Sequence, residues 1–374
     1  MLKIIKKFFI YVFICELCLN FITTAYAGKV YNAVLSNNWD DLINTVYSDP
    51  KSVDDMDSYA STAVMKAIEI DNLPMLIFLI DNGADINARY DNGRTVLMQI
   101  TYNYRYNEYD KVNLVDYLIR MGANINIRDY DGSTALIYAA MHGNMSVIEL
   151  LLKDWGANIN DRNYCGWTSL MIAISLNYGF IARFLIKNKN VNINAKNCNG
   201  NNALMLAVIF SGLDMVKLFF DDIDNTKIKN VGIPMNKSVV KNKININAKN
   251  KKGYNALMLA SKNGKSDIVN FLISKKADID AQNNDGDSAL MLAFKYKKID
   301  VIKILMEKRA NLEIRNHKGL NVLDIARENN MMNLFEILPK NKKPQIDKPI
   351  RKIKKHKKVR KKTNADKDDK SNKK

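Results

Sequence analysis

Along this chain a polar residue able to cap a helix is followed, again and again, by a compact apolar run. The clearest copies read Asn202-Ala-Leu-Met-Leu-Ala207, Asn255-Ala-Leu-Met-Leu-Ala260 and Ser288-Ala-Leu-Met-Leu-Ala293. Related runs begin at Thr62, Thr95, Thr134, Thr168 and Asn321. The eight anchors are 33, 39, 34, 34, 53, 33 and 33 residues apart. A near-constant period of this size marks a stack of like supersecondary units, and the two long intervals mark insertions.

Each unit can be read locally. The Thr, Asn or Ser at its head offers a side-chain oxygen to the free N–H groups of a first helical turn. Leu at the third position and Ala at the sixth make a narrow buried face, small enough for a neighbouring helix to come close. A second apolar pattern follows at helical spacing, as in Val147, Ile148 and Leu151, or Ile268, Val269 and Leu272. It predicts a second helix, ending at Gly83, Gly122 or Gly156 in a left-handed cap. Asn190 holds that place in the next unit, and Lys276 and Arg309 hold it later, each at about 1 kcal/mol against Gly. An extended Ala-Asp-Ile-Asn or a relative comes next (Ala84–Asn87, Ala123–Asn126, Ala157–Asn160, Ala277–Asp280). A turn then places Gly93, Gly132, Gly166, Gly200, Gly253, Gly286 or Gly319 two residues before the next cap.

This cycle closely resembles the ankyrin repeat over roughly residues 28–340. The resemblance implies an all-α repeat solenoid, an ankyrin-like stack of helix–turn–helix units joined by β-turn fingers. It also implies a concave binding face made of the fingers and inner helices. The chain departs from the family's motif, which has Pro at the second position and His at the fourth. Here the second is Ala, Val or Ser and the fourth is mostly Met. The family's Thr–His hydrogen bonds are therefore mostly missing, and packed Leu, Met and Ala are expected to supply the cohesion. The expected organisation is a leader over 1–27, a capping segment over 28–57, about eight repeats over 58–340 with insertions near 102–110 and 221–243, and a disordered basic tail over 341–374.

The ends differ from the array. Lys3, Lys6 and Lys7 precede an apolar run from Phe8, and Ala25-Tyr-Ala27 gives a small-x-small pattern before Gly28, so a signal peptide cleaved between Ala27 and Gly28 is expected. Export to the periplasm or beyond, from a bacterium, follows as an expectation. The net charge is +18, but residues 340–374 hold 17 Lys plus Arg against 4 Asp, so the array is close to balanced. The tail lacks the apolar content for a core and offers electrostatic attachment to phospholipid, lipopolysaccharide or nucleic acid. Abundant Asn and Lys elsewhere are expected to be compositional background. Cys165 and Cys198 sit in neighbouring turns. If those turns lie about 10 Å apart, as stacked helices do, they are too far for a disulfide and stay free.

Chemistry has little to work with. The three His residues, His142, His317 and His356, have no nucleophile–base arrangement around them. Gly264-Lys265-Ser266 lacks the Gly a phosphate loop needs at position 259, and Asp129-Tyr-Asp131-Gly132 lacks the closing Glu of a calcium loop. No enzyme, cofactor, metal or small-molecule substrate is expected, and the stack is expected to be monomeric. The function expected is protein–protein scaffolding toward host proteins. The alternative is association with an anionic surface or nucleic acid through the tail. Candidate contact residues are Tyr90, Tyr130 and Tyr164 in the turns, Arg94 and Trp167 between glycine and cap, and Tyr102, Tyr104 and Tyr106 in the first insertion, because Tyr, Trp and Arg dominate interface energetics.

Overall fold

The computed structural model describes residues 28–57, 61–90, 92–102, 107–220 and 243–337. The helices run in antiparallel pairs: α1 (Lys29–Leu35) with α2 (Trp39–Ser48), α3 (Ala63–Glu69) with α4 (Leu73–Asp81), α5 (Val96–Tyr102) with α6 (Glu108–Arg120), and α7 (Ala135–Met141) with α8 (Met145–Lys153). The series continues with α9 (Ser169–Ser175) and α10 (Gly179–Lys187), α11 (Ala203–Phe210) and α12 (Leu213–Lys217), α13 (Ala256–Asn263) and α14 (Ser266–Ser274), and α15 (Ala289–Lys295) and α16 (Ile299–Glu307). Last comes α17 (Val322–Glu328), followed by a 3-10 turn at Met332–Ile337. The odd-numbered helices pack on one another in a single row from α1 to α17, and each packs on its own outer partner. The 28–57 segment is thus itself a helix pair, closed by a 3-10 turn at Pro50–Asp54. Contact between α11 and α13 carries the row past the second insertion, whose residues 221–242 lie outside the described residues.

The anchors behave as caps. Thr62, Thr95, Thr168, Asn202, Asn255, Ser288 and Asn321 each accept from the backbone N–H three residues on. The Asn caps are the tighter ones, 2.8–3.0 Å against 3.3–3.5 Å for Thr and Ser. Thr134 departs from the expectation: it makes no side-chain cap bond. Met65, Met98, Met171, Met205, Met258 and Met291, in the slot where the family motif has His, are all 0–1% exposed. Ala67, Ala139, Ala173, Ala207, Ala260, Ala293 and Ala326 are fully buried in the same row.

The finger glycines and the caps at Gly83, Gly122 and Gly156 all have positive φ, as expected. Lys276 (φ 66°) and Arg309 (φ 63°) carry the strain of the same conformation with a side chain. Lys276→Gly and Arg309→Gly are therefore each expected to raise stability by about 1 kcal/mol, read as a rise in urea midpoint. Asn190 does not take the left-handed form. Its unit ends earlier, with Asn188 extended after α10 (φ −69°, ψ 125°), so no left-handed cap is needed there.

Cohesion is not apolar alone, and the exposed Asn and Lys are not idle. Asn87 donates to Gly122 O and accepts from Asn124 N, reaching across to the next unit at both ends of its amide. Asn160 does the same to Asn190 O and Asn192 N, and Asn194 to Lys243 O and Asn245 N. A second series starts four residues before five of the finger glycines. Arg128 donates to Arg162 O, Arg162 to Lys196 O, Lys196 to Lys249 O, Lys249 to Gln282 O and Gln282 to Arg315 O. Each such bond contributes about 1 kcal/mol at most where water competes, but together they run along most of the stack.

Candidate interaction face

The fingers from Asp129 onward are built alike. In the third, Gly166 N donates to Asn163 O across a four-residue turn, while the Asn163 side chain accepts from Trp167 N. Asp129, Asn197, Asn250, Asn283 and Asn316 hold the same column, each accepting from two backbone N–H groups of its own finger. The fingertips are also bonded to one another. Tyr130 N donates to Asn92 O, Tyr164 N to Asp131 O, Cys198 N to Cys165 O, Lys251 N to Asn199 O, Asn284 N to Lys252 O and His317 N to Asp285 O, all at 2.8–3.2 Å. The tips therefore stack much more closely than the helices behind them.

That closeness sets the outlook of the first three tips. The ring of Tyr130 lies over Gly93 and the ring of Tyr164 over Gly132, so close that a Cβ on either glycine would meet ring carbons at 2.6–2.8 Å. Both rings remain open to solvent, 64% and 71% exposed, side by side on adjacent tips. Behind them Arg94, half-buried, donates from Nε to the Tyr138 hydroxyl at 2.6 Å and lies over the rings of Tyr138 and Tyr102, 4.9 and 5.2 Å from their centroids. Tyr138 in turn donates to Asp129 Oδ2 at 2.6 Å. Burial and the Asp129 bond push the Tyr138 hydroxyl up to about 12, so it stays protonated and able to donate.

The family model for ankyrin repeats in sets of three copies matches in overlapping stretches, residues 30–129, 64–163, 105–197, 157–231, 229–316 and 257–348. The chain belongs to the ankyrin-repeat family. Ankyrin repeats form protein–protein interaction scaffolds and are typically non-enzymatic. No individual curated protein matches the chain. Among the described residues no group of three or more His, Cys, Asp or Glu could hold a metal ion, and no helix is long and apolar enough to cross a membrane.

Within this ankyrin stack the candidate residues fall into separate groups. Arg94 and Tyr102 meet along the inner helices of the units headed by Thr95 and Thr134, whereas Tyr130 and Tyr164 lie on adjacent fingertips. Tyr90 is half-buried, and its hydroxyl donates to Met65 O in the preceding unit. Trp167 is half-buried and packs against the core, so it supports the finger as well as facing out. Tyr104 and Tyr106 lie outside the described residues. Tyr102 is the last residue of α5, and part of the first insertion's length is taken up by a longer second helix, α6. Tyr138 and Asp129 were not among the candidates. The one trace of them in the sequence is the Tyr at the fifth place of a phrase that elsewhere has Leu, Ile, Lys or Gln.

His142 caps this cluster. Its ring meets Tyr102 edge-on at 4.6 Å, and its Nε2 is buried without a hydrogen-bond partner. Burial first, then the charges of Lys111 and Arg94, hold the imidazole below its ordinary value of 6.5. The unfolded chain therefore takes the proton first as pH falls, and stability is lost from about pH 6.5 downward until the folded ring also titrates. The expected outcome is a urea midpoint that falls between pH 7 and pH 5, with a shallower fall in His142→Gln.

Proposed function

We propose that this ankyrin chain is an exported scaffold that captures a protein partner, one of a host cell, on the concave face that such stacks present. The carrying observation is the pair Tyr130 and Tyr164. Two exposed aromatic rings lie over glycines on adjacent fingertips, and Arg94 lies over the ring of Tyr102 in the same part of the stack. Rigid Tyr and Arg groups give large contact area at small entropic cost, the profile of an interface centre. Export rests on the composition of residues 1–27, and monomeric action on a stack whose inner row is already filled by its own neighbours. Capture of a partner from host-cell extract by the full chain, lost by more than tenfold in the double variant Tyr130→Ala/Tyr164→Ala, is the expected result; unchanged affinity would overturn the assignment.

The second reading is favoured by one observation, the 17 Lys plus Arg in residues 340–374. In it the tail binds an anionic surface or nucleic acid and the stack is a spacer. Removing residues 341–374 separates the two. Partner capture that survives the truncation supports the first reading. Capture that disappears with the tail, and with added salt, supports the second.

A further inference from the structure

The fingertip bonds bring Cys165 and Cys198 together. Cys198 N donates to Cys165 O at 2.9 Å, across adjacent tips. With standard bond lengths on either side of that bond, the two Cα atoms are at most about 6.8 Å apart. Disulfides span about 4.4–6.8 Å between Cα atoms. The distance expected from helix spacing was therefore too long, because the tips pack at hydrogen-bonding distance. The Cys198 side chain also reaches the neighbouring tip: its Sγ donates to Tyr164 O at 3.3 Å, the carbonyl of the peptide that leads into Cys165. Both thiols are free and exposed, so an exchange partner can reach them.

We infer that Cys165 and Cys198 are a redox pair that closes into a disulfide joining the fingertips of two adjacent repeats. A small disulfide such as oxidised glutathione is the oxidant. The Cys198 thiolate attacks one of its sulfurs and releases one glutathione thiolate. The Cys165 thiolate then attacks the Cys198 sulfur of the mixed disulfide and releases the second. Two protein thiols lose two protons and two electrons, and one glutathione disulfide becomes two thiols. The bond would fix the tip that carries Tyr164 against its neighbour, and so stiffen one end of the exposed tyrosine pair. This inference stands on the tip geometry alone and is independent of the binding and export readings.

The test is the full chain equilibrated with oxidised glutathione, alkylated, cut with trypsin and mapped by mass spectrometry. The expected product joins peptide 163–183 to peptide 197–217, is abolished by dithiothreitol, and is absent in Cys165→Ser. The oxidised chain should also melt at a higher temperature than the reduced one, with no such rise in Cys165→Ser. Recovery of the two cysteines as separate mixed disulfides, as free thiols, or joined to Cys15 or Cys18, from a chain with unchanged helical circular dichroism, would overturn the inference.

Discussion

Gly286→Ala is expected to cost about 3 kcal/mol. Two penalties fall on one atom. The backbone at Gly286 has φ +78°, a conformation that costs a residue with a side chain about 1–2 kcal/mol. The new Cβ would also come within 2.8 Å of His317 N and 2.9 Å of Asn316 Cα, and neither can move without breaking the bond from His317 N to Asp285 O. Gly83→Ala is the control, since its φ is +91° but nothing lies within 4 Å of the added methyl. Its cost should be confined to the left-handed term, about 1 kcal/mol. Equal urea midpoints for the two variants would show that the tips do not rely on close approach.

The second large effect is at Asp129, 4% exposed and hydrogen-bonded to Asp131 N, Ser133 N and the Tyr138 hydroxyl. Asp129→Ala leaves those donors facing an apolar side chain and is expected to cost about 3 kcal/mol. Asp129→Asn should cost under about 1 kcal/mol, because an Asn oxygen already makes the two backbone bonds in the equivalent place at Asn197 and Asn283. Comparable losses for the two variants in urea unfolding would mean that charge, not hydrogen bonding, is what Asp129 supplies. Through Tyr138 the same carboxylate steadies Arg94, so the Ala variant should also weaken partner capture beyond its effect on folding.

What could be read from the sequence was local. The period, the Thr, Asn and Ser caps, the finger glycines and the buried Met and Ala positions each depend on residues a few places apart, and each has a chemical signature of its own. Thr134 shows the limit of that approach: the residue type suits a cap, yet its hydroxyl is buried without a partner. Asn190 shows another, since an Asn that tolerates a left-handed backbone does not compel one when the helix ends two residues earlier. The bonds between units left no signature at all. Asn87, Asn160 and Asn194 look like compositional excess because what they bind is main chain some 30–50 residues away. Cys165 and Cys198 are free, as expected, but not for the reason of distance: helix spacing does not hold at the fingertips, whose spacing is set by a hydrogen bond. At the candidate face, the exposed Tyr130 and Tyr164 could be found by residue type, whereas the link from Arg94 through Tyr138 to Asp129 needed the fold.

The series from Arg128 to Arg315 has a consequence for the history of such a chain. Each rung leaves a side chain and ends on a main-chain carbonyl, so it takes no notice of which side chain the neighbour carries. Units that ignore one another's identity are interchangeable parts. A copy inserted, or one deleted between like positions, would present its donors to carbonyls at the same height. A gene encoding such a chain can lengthen or shorten by whole units without inventing a new joint.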